Sequence, residues 1–185
     1  MASGTNTTAA GQPARTGVLR IIDQISTLCG WFSAALIVIS VLITCQMIFV
    51  RYFLNASTVW HTEAVTYMMV TATLIGLPYV QKLRGHVNVD LLPLMMGKTA
   101  RKALAITTLL LSIAIIAVMT FYGFEFWHTA WERNWKSDTV WVVRLWIPYL
   151  CVPVGFGLFL LQLAGDLYAV LTGQDKPFNI DDGAK

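Results

Sequence analysis

Residues 24–50 read QISTLCGWFSAALIVISVLITCQMIFV, a run with no charged side chain anywhere between Asp23 and Arg51. It exceeds the ~20 apolar residues that a helix needs to cross the hydrocarbon core of a bilayer. Lipid offers the backbone no hydrogen-bonding partner, so a spanning segment must be a helix or part of a closed barrel, and the run shows no period-two alternation. It is also too long for the apolar core of a signal peptide. The tail before it is rich in Ser, Thr, Ala and Gly, and no small-residue cleavage site comes before Arg51. Residues 26–50 are therefore read as a first transmembrane helix.

The same punctuation recurs along the chain. Charges are absent between Glu63 and Lys82, between Lys102 and Glu125, and between Arg144 and Asp166. These gaps predict further spans at about 63–81, 104–123 and 146–170, the second being the shortest, with Gly76 and Pro78 expected to fray its end. Only 12% of the 185 residues are charged and 56% are hydrophobic, whereas a soluble domain carries about 25% charge. So few charges cannot cover a water-facing surface but suit a lipid-facing one. The expected fold is an all-α integral membrane protein, with four transmembrane helices and short amphipathic interfacial helices. Residues 1–17 read as a disordered tail, 18–172 as the membrane domain and 173–185 as a C-terminal tail. Val18–Ser26 (VLRIIDQIS) alternates apolar and polar residues at helical spacing, which suggests a short surface helix ahead of the first span.

Lys and Arg placement gives an orientation. Arg15, Arg20, Lys82, Arg84, Lys98, Arg101, Lys102, Lys176 and Lys185 fall on one side, and Arg51, Arg133, Lys136 and Arg144 on the other. The excess places both termini and the 82–102 loop in the cytoplasm. Trp127, Trp131 and Trp135 recur every fourth residue. On a helix they would form one stripe at the opposite interface, either an aromatic belt or a partner-binding surface.

Several chemistries lose their footing on residue placement. The expected span interiors carry no mid-membrane Asp, Glu, Lys, Arg or His, as a proton-coupled exporter would. His61, His86 and His128 lie near span ends or in loops, where axial haem ligands facing each other in mid-bilayer would not be. Cys29, Cys45 and Cys151 form no CxxC pair and give no metal spacing, and they read as small packing residues. No HExxH motif is present. Basic residues are not interleaved with aromatics into a nucleic-acid stripe. Asn6-Thr-Thr8 and Asn55-Ala-Ser57 match the glycosylation pattern, which is too short to carry weight. The chain reads as non-enzymatic.

The polar residues of interest sit at boundaries. In RYFLNASTVWHTEAV (51–65), Arg51 closes the first span and Glu63 opens the second. A short connection brings them within reach of an ion pair, the alternative being that each snorkels to water. Pairing would mean that Arg51→Glu partly rescues Glu63→Lys. In LRGHVNVDLLPLMMGKTARK (83–102), His86, Asn88 and Asp90 alternate after Gly85. With Pro93 they read as a shaped bend at the interface, since an acid–base pair there would lack a nucleophile and a metal set.

Taken in order, RYFLN at the end of the first span, Trp60 and Glu63 opening the second, Gly85-His86-Val87-Asn88-Val89-Asp90-Leu91, and a fourth span with Trp146-Ile147-Pro148-Tyr149 and Pro153-Val154-Gly155 resemble a known family. It is the small, DctQ-type membrane subunit of tripartite ATP-independent periplasmic (TRAP) transporters. The resemblance covers about 20–172. The family often has two acidic residues where this chain has Thr62-Glu63. It implies a four-span, multi-pass protein of the bacterial inner membrane that is non-catalytic and braces a large multi-span subunit. The large subunit imports organic acids or related solutes with sodium, and substrate and sodium sites lie there, so no cofactor is expected in this chain. A periplasmic substrate-binding protein is the third component, and membrane lipid surrounds the whole. Arg51, Trp60, Glu63, Gly85, His86 and Asp90 become structural or interface candidates. Gly155 and Gly157 join them as close-packing positions. Trp127, Trp131 and Trp135 become candidates for contact with the binding protein. The competing readings are a membrane anchor for a redox enzyme and a self-contained small transporter.

Overall fold

A computed structural model describes residues 17–83, 98–139 and 142–172. Five helices occur among them: α1 (Val18–Phe53), α2 (Val59–Lys82), α3 (Lys98–Glu132), the single turn α4 (Trp146–Tyr149) and α5 (Cys151–Leu171). Four segments are long and apolar enough to cross a membrane, α4 and α5 together making the fourth. The expected all-α, four-span frame is therefore present. Gly85, His86, Asp90 and both chain tails lie outside the described residues.

Three expectations need correction. Val18–Ser26 is not a separate surface helix. It is the opening of α1, which runs unbroken for 36 residues. Nothing in VLRIIDQIS breaks a helix, and its apolar side is used against α5, where Leu19 and Ile22 lie beside Gly165. At 1.5 Å per residue α1 is about 54 Å long, so it projects well beyond a ~30 Å hydrocarbon layer. Second, α2 does not end at Gly76 or Pro78 but continues through both to Lys82, because α5 supports the helix there. Third, Trp135 does not continue a helical stripe. α3 stops at Glu132 because Asn134 adopts φ 52°, a left-handed conformation that Asn tolerates. The Asn134 N–H then bonds to the Trp131 carbonyl and the Trp135 N–H to the Ala130 carbonyl, the Schellman pattern that satisfies terminal carbonyls.

The helices pack in the spatial order α1, α2, α5, α3, with α1 also touching α5. α2 and α5 are thus the inner pair, and α1 and α3 the flanks. Trp31, Leu42, Leu111 and Phe121 stand exposed on those flanks, as lipid or a protein partner in the membrane would require. The core is built differently from that of a soluble bundle. Its buried residues include Ala72, Ala130, Ala169, Ser26, Ser33, Ser40 and Gln162. Helices gain little from the hydrophobic effect in lipid, so small residues that permit close approach and polar groups that bond across it hold them together. Ser33 Oγ shows both uses: it packs on Gly76 and donates to the Ala72 carbonyl at 2.6 Å.

Candidate functional site

The antiparallel frame has two ends. One carries the end of α1, the start of α2 and the α3–α4 connection, and will be called the hairpin end. The other carries the start of α1 and the end of α5, the terminal end. Each holds a polar cluster.

At the hairpin end, residues 135–139 and 142–145 pair as a short two-stranded ribbon. Lys136 and Arg144 are bridged in antiparallel fashion. Ser137 N–H bonds to the Val143 carbonyl at 2.9 Å and Leu145 N–H to the Trp135 carbonyl at 3.0 Å. Successive side chains of a strand point to opposite faces, and exposure follows that period here. Trp135, Ser137, Thr139, Val143 and Leu145 are partly covered, whereas Lys136, Asp138, Val142 and Arg144 are exposed. Glu63, one turn into α2, fastens the covered face. Thr139 Oγ1 donates to Glu63 Oε2 at 2.5 Å, Tyr67 OH donates to Oε1 at 2.7 Å, and Ser137 Oγ lies 3.0 Å from Thr139 Oγ1.

Glu63 is therefore engaged, but not by Arg51. No ion pair joins these two among the described residues. Arg51 is exposed at the end of α1, and the carboxylate is turned toward α2 and the ribbon. Charge swapping accordingly should not work. Glu63→Lys is expected to release the ribbon, seen as faster cleavage after Lys136 in limited proteolysis, and adding Arg51→Glu should leave that rate unchanged. Restored protection in the double mutant would show that an Arg51 pair forms after all. The Trp60 and His61 rings meet at a tilt, with centroids 3.7 Å apart, and His61 is buried.

The tryptophans of this end pack on one another. Trp127 Nε1 donates to the Trp146 carbonyl at 3.1 Å, and the Trp131 and Trp146 rings meet edge-on at 4.5 Å. Trp127 and Trp131 are 5.8 Å apart, and Trp135 meets Phe126 at 5.9 Å. α3 and the start of the fourth span are thus pinned together through aromatic rings, although Trp131 remains half exposed.

At the terminal end, a network crosses three helices. Ser26 Oγ of α1 donates to Gln162 Oε1 of α5 at 2.6 Å, and Gln162 Nε2 donates to Asp166 Oδ1 at 3.1 Å. Gln81 Nε2 of α2 reaches Asp166 Oδ2 at 3.2 Å. Lys82 Nζ donates to the Asp23 carbonyl at 3.0 Å and to Thr27 Oγ1 at 2.7 Å. Asp166 and Gln162 are buried. Boundary charges read from sequence do not disclose this network. The available signal was Gln162 and Asp166 four apart, hence on one side of α5, in an otherwise apolar stretch.

The two glycines separate. A Cβ on Gly155 would lie 2.9 Å from both the carbonyl carbon and oxygen of Leu74, so this position belongs to the α2–α5 contact. A Cβ on Gly157 would meet nothing within 4 Å. It lies on the side of α5 where Val154, Leu161 and Ala164 are exposed.

Four apolar helices with a polar cluster at each end describe a multi-pass membrane protein and do not by themselves name a system. No curated protein matches the chain. The family model for the DctQ component of the tripartite ATP-independent periplasmic transporters matches residues 40–173. That span takes in the C-terminal part of α1 from residue 40 on, all of α2 to α5, the Glu63 clamp, the ribbon, and three of the four side chains in the Ser26–Gln162–Asp166–Gln81 network. With well over half its length matched, the chain belongs to the DctQ component family of the tripartite ATP-independent periplasmic transporters.

Proposed function

We propose that the chain is the non-catalytic small permease subunit of a sodium-coupled TRAP transporter for an organic acid or related solute. It sits in the inner membrane with both termini cytoplasmic, and it braces the large transport subunit. The family match over residues 40–173, on a chain with four helices long and apolar enough to cross a membrane, carries this reading. The scaffold role draws support from how the chain's own contacts are arranged. Gly155 and the polar clusters hold the helices to one another, while the exposed flanks of α1 and α3 and the Gly157 side of α5 remain for a second membrane protein. The lysine and arginine distribution supports the orientation. Substrate and sodium are assigned to the large subunit, and the periplasmic binding protein is the third partner.

Purification from native membranes in mild detergent, followed by mass spectrometry, tests the reading. A stoichiometric multi-span partner is expected; a chain that comes out alone or with a haem protein would overturn it. The same preparation tests the open face of α5. Gly157→Leu should leave the subunit's own stability unchanged, because the new side chain meets nothing within the chain. It should lower the yield of the large partner several-fold, since close helix approach depends on small residues. Full recovery of the partner would remove Gly157 from the interface.

A further inference from the structure

At the terminal end two cations share one groove, and no carboxylate forms an ion pair with either among the described residues. Lys82, the last residue of α2, reaches across to α1, where its ammonium donates to the Asp23 carbonyl and to Thr27 Oγ1. Both acceptors are neutral, and an ammonium carries three donors. The charge is therefore fixed in place with one N–H still to be used. Arg20 stands about one turn before Asp23 and two turns before Thr27, on the side of α1 that Lys82 reaches. It is exposed, and its side chain makes no hydrogen bond or ion pair among the described residues. Leu19, Ile22 and Ser26 face α5 instead. The groove thus opens on the side of α1 and α2 away from α5.

The same side of α1 is graded along its length. Residues three, four or seven apart share a side of a helix, and Arg20, Gln24, Thr27, Trp31, Val38 and Leu42 form one such line. Its first three members are polar. The fourth is a tryptophan 74% exposed, and the last two are aliphatic, 58% and 63% exposed. Tryptophan favours the boundary between headgroups and hydrocarbon. From Trp31 to Leu42 the helix rises about 16 Å, close to one leaflet of a ~30 Å hydrocarbon layer. Charge, then amide and hydroxyl, then aromatic, then aliphatic is the order met along a phospholipid from phosphate through glycerol to acyl chain.

We infer that the groove between the start of α1 and the end of α2 binds one anionic phospholipid, its phosphate between Lys82 and Arg20 and an acyl chain laid along Trp31, Val38 and Leu42. The site requires only that the chain crosses the membrane, whichever leaflet this end lies in. The phosphate supplies the anion that the two cations lack. Lys82 is already anchored, so it loses little freedom on binding. Two cations against one phosphate favour a headgroup that brings no ammonium of its own, which separates an anionic lipid from a zwitterionic one.

The test takes the full-length chain, purified in mild detergent with the membrane partners that accompany it, and adds phosphatidylglycerol or phosphatidylcholine. Native mass spectrometry then reads the lipid retained. Wild type should retain phosphatidylglycerol several-fold more than phosphatidylcholine. R20Q changes an exposed side chain that bonds to nothing in the chain. It should lower the preference about fivefold, the worth of one basic side chain beside an anionic lipid surface, and R20K should keep most of it. K82Q should lower it as well, with R20Q guarding against disturbed α1–α2 bonds in that variant. K102Q removes an exposed cation from α3 at the same end of the frame and should change nothing. Equal retention of the two lipids by wild type, or an equal loss in K102Q, would overturn the site in favour of a diffuse basic surface. Retention of inorganic phosphate in place of lipid would overturn the acyl contact and make the ligand a free anion. Wild type that holds no phosphatidylglycerol, with R20Q lowering recovery of a membrane partner instead, would give the groove to a protein and overturn the lipid.

Discussion

Gly155→Ala is expected to lower the stability of the isolated subunit by about 1–3 kcal/mol, the usual range for forcing one extra group into a packed site. The cause lies in the neighbouring helix. Residue 78 of α2 is proline, so the Leu74 carbonyl has no N–H donor four residues on. In a membrane protein such a freed carbonyl has to be accommodated by a neighbour. α5 brings Gly155 up against it, so close that a Cβ would sit 2.9 Å from the carbonyl oxygen and 2.8 Å from Leu74 Cβ. Backbone carbonyls cannot swing aside as the tip of a flexible side chain can. The methyl group therefore drives α2 and α5 apart along their whole contact. Weak Cα–H···O contacts between the helices would be lost at the same time. Thermal unfolding in detergent, followed by size-exclusion fluorescence, should show a clear downward shift for Gly155→Ala and none for Gly157→Ala. Equal behaviour of the two variants would show that the α2–α5 contact is not set at this glycine.

The same pair shows where sequence stops being informative. Charge-free runs are long-range, additive signals, so the four spans could be read directly from Asp23, Arg51, Glu63, Lys82 and their counterparts. The small residues of the fourth span could also be read as packing positions. Which of Gly155 and Gly157 faces inward could not, because it depends on the rotation of α5 relative to Pro78, a residue of another helix. Helix ends were legible only in part. Asn55 and Asn134 both stop helices by adopting positive φ, yet an asparagine in a sequence does not by itself announce that conformation. The Arg51–Glu63 expectation rested on closeness in sequence. Thr139, 76 positions from Glu63, has the better geometry. Long-range hydroxyl partners leave no charge pattern to find.

Gln162→Leu is expected to damage the terminal end more than loss of either hydrogen bond alone would suggest. Leucine has nearly the same volume, so no cavity opens, and the effect isolates the polar groups. Two bonds disappear. The Ser26 bond is neutral, and interhelical bonds of that kind in membranes average only about 0.6 kcal/mol. Ser26 can also turn its hydroxyl to a carbonyl of its own helix, as Ser40 does toward Leu36. The bond to Asp166 is different. This carboxylate is buried, and Gln162 Nε2 is one of its donors, Gln81 being another. Removing a donor from a buried acceptor costs about 1–3 kcal/mol, and more when the acceptor is charged. The carboxylate term should therefore dominate. Ser26→Ala should lower the unfolding temperature slightly and Gln162→Leu markedly. The double variant should fall little below Gln162→Leu, because the Ser26 bond is already gone. A double-mutant cycle reads this directly. If Ser26→Ala matched Gln162→Leu, the bond between α1 and α5 would be the dominant element. If neither lowered stability, packing of Leu19 and Ile22 on Gly165 would be holding this end without the network. The expected order instead makes Asp166 the centre of the terminal end, and its donors the reason that α2 and α5 stay in register there.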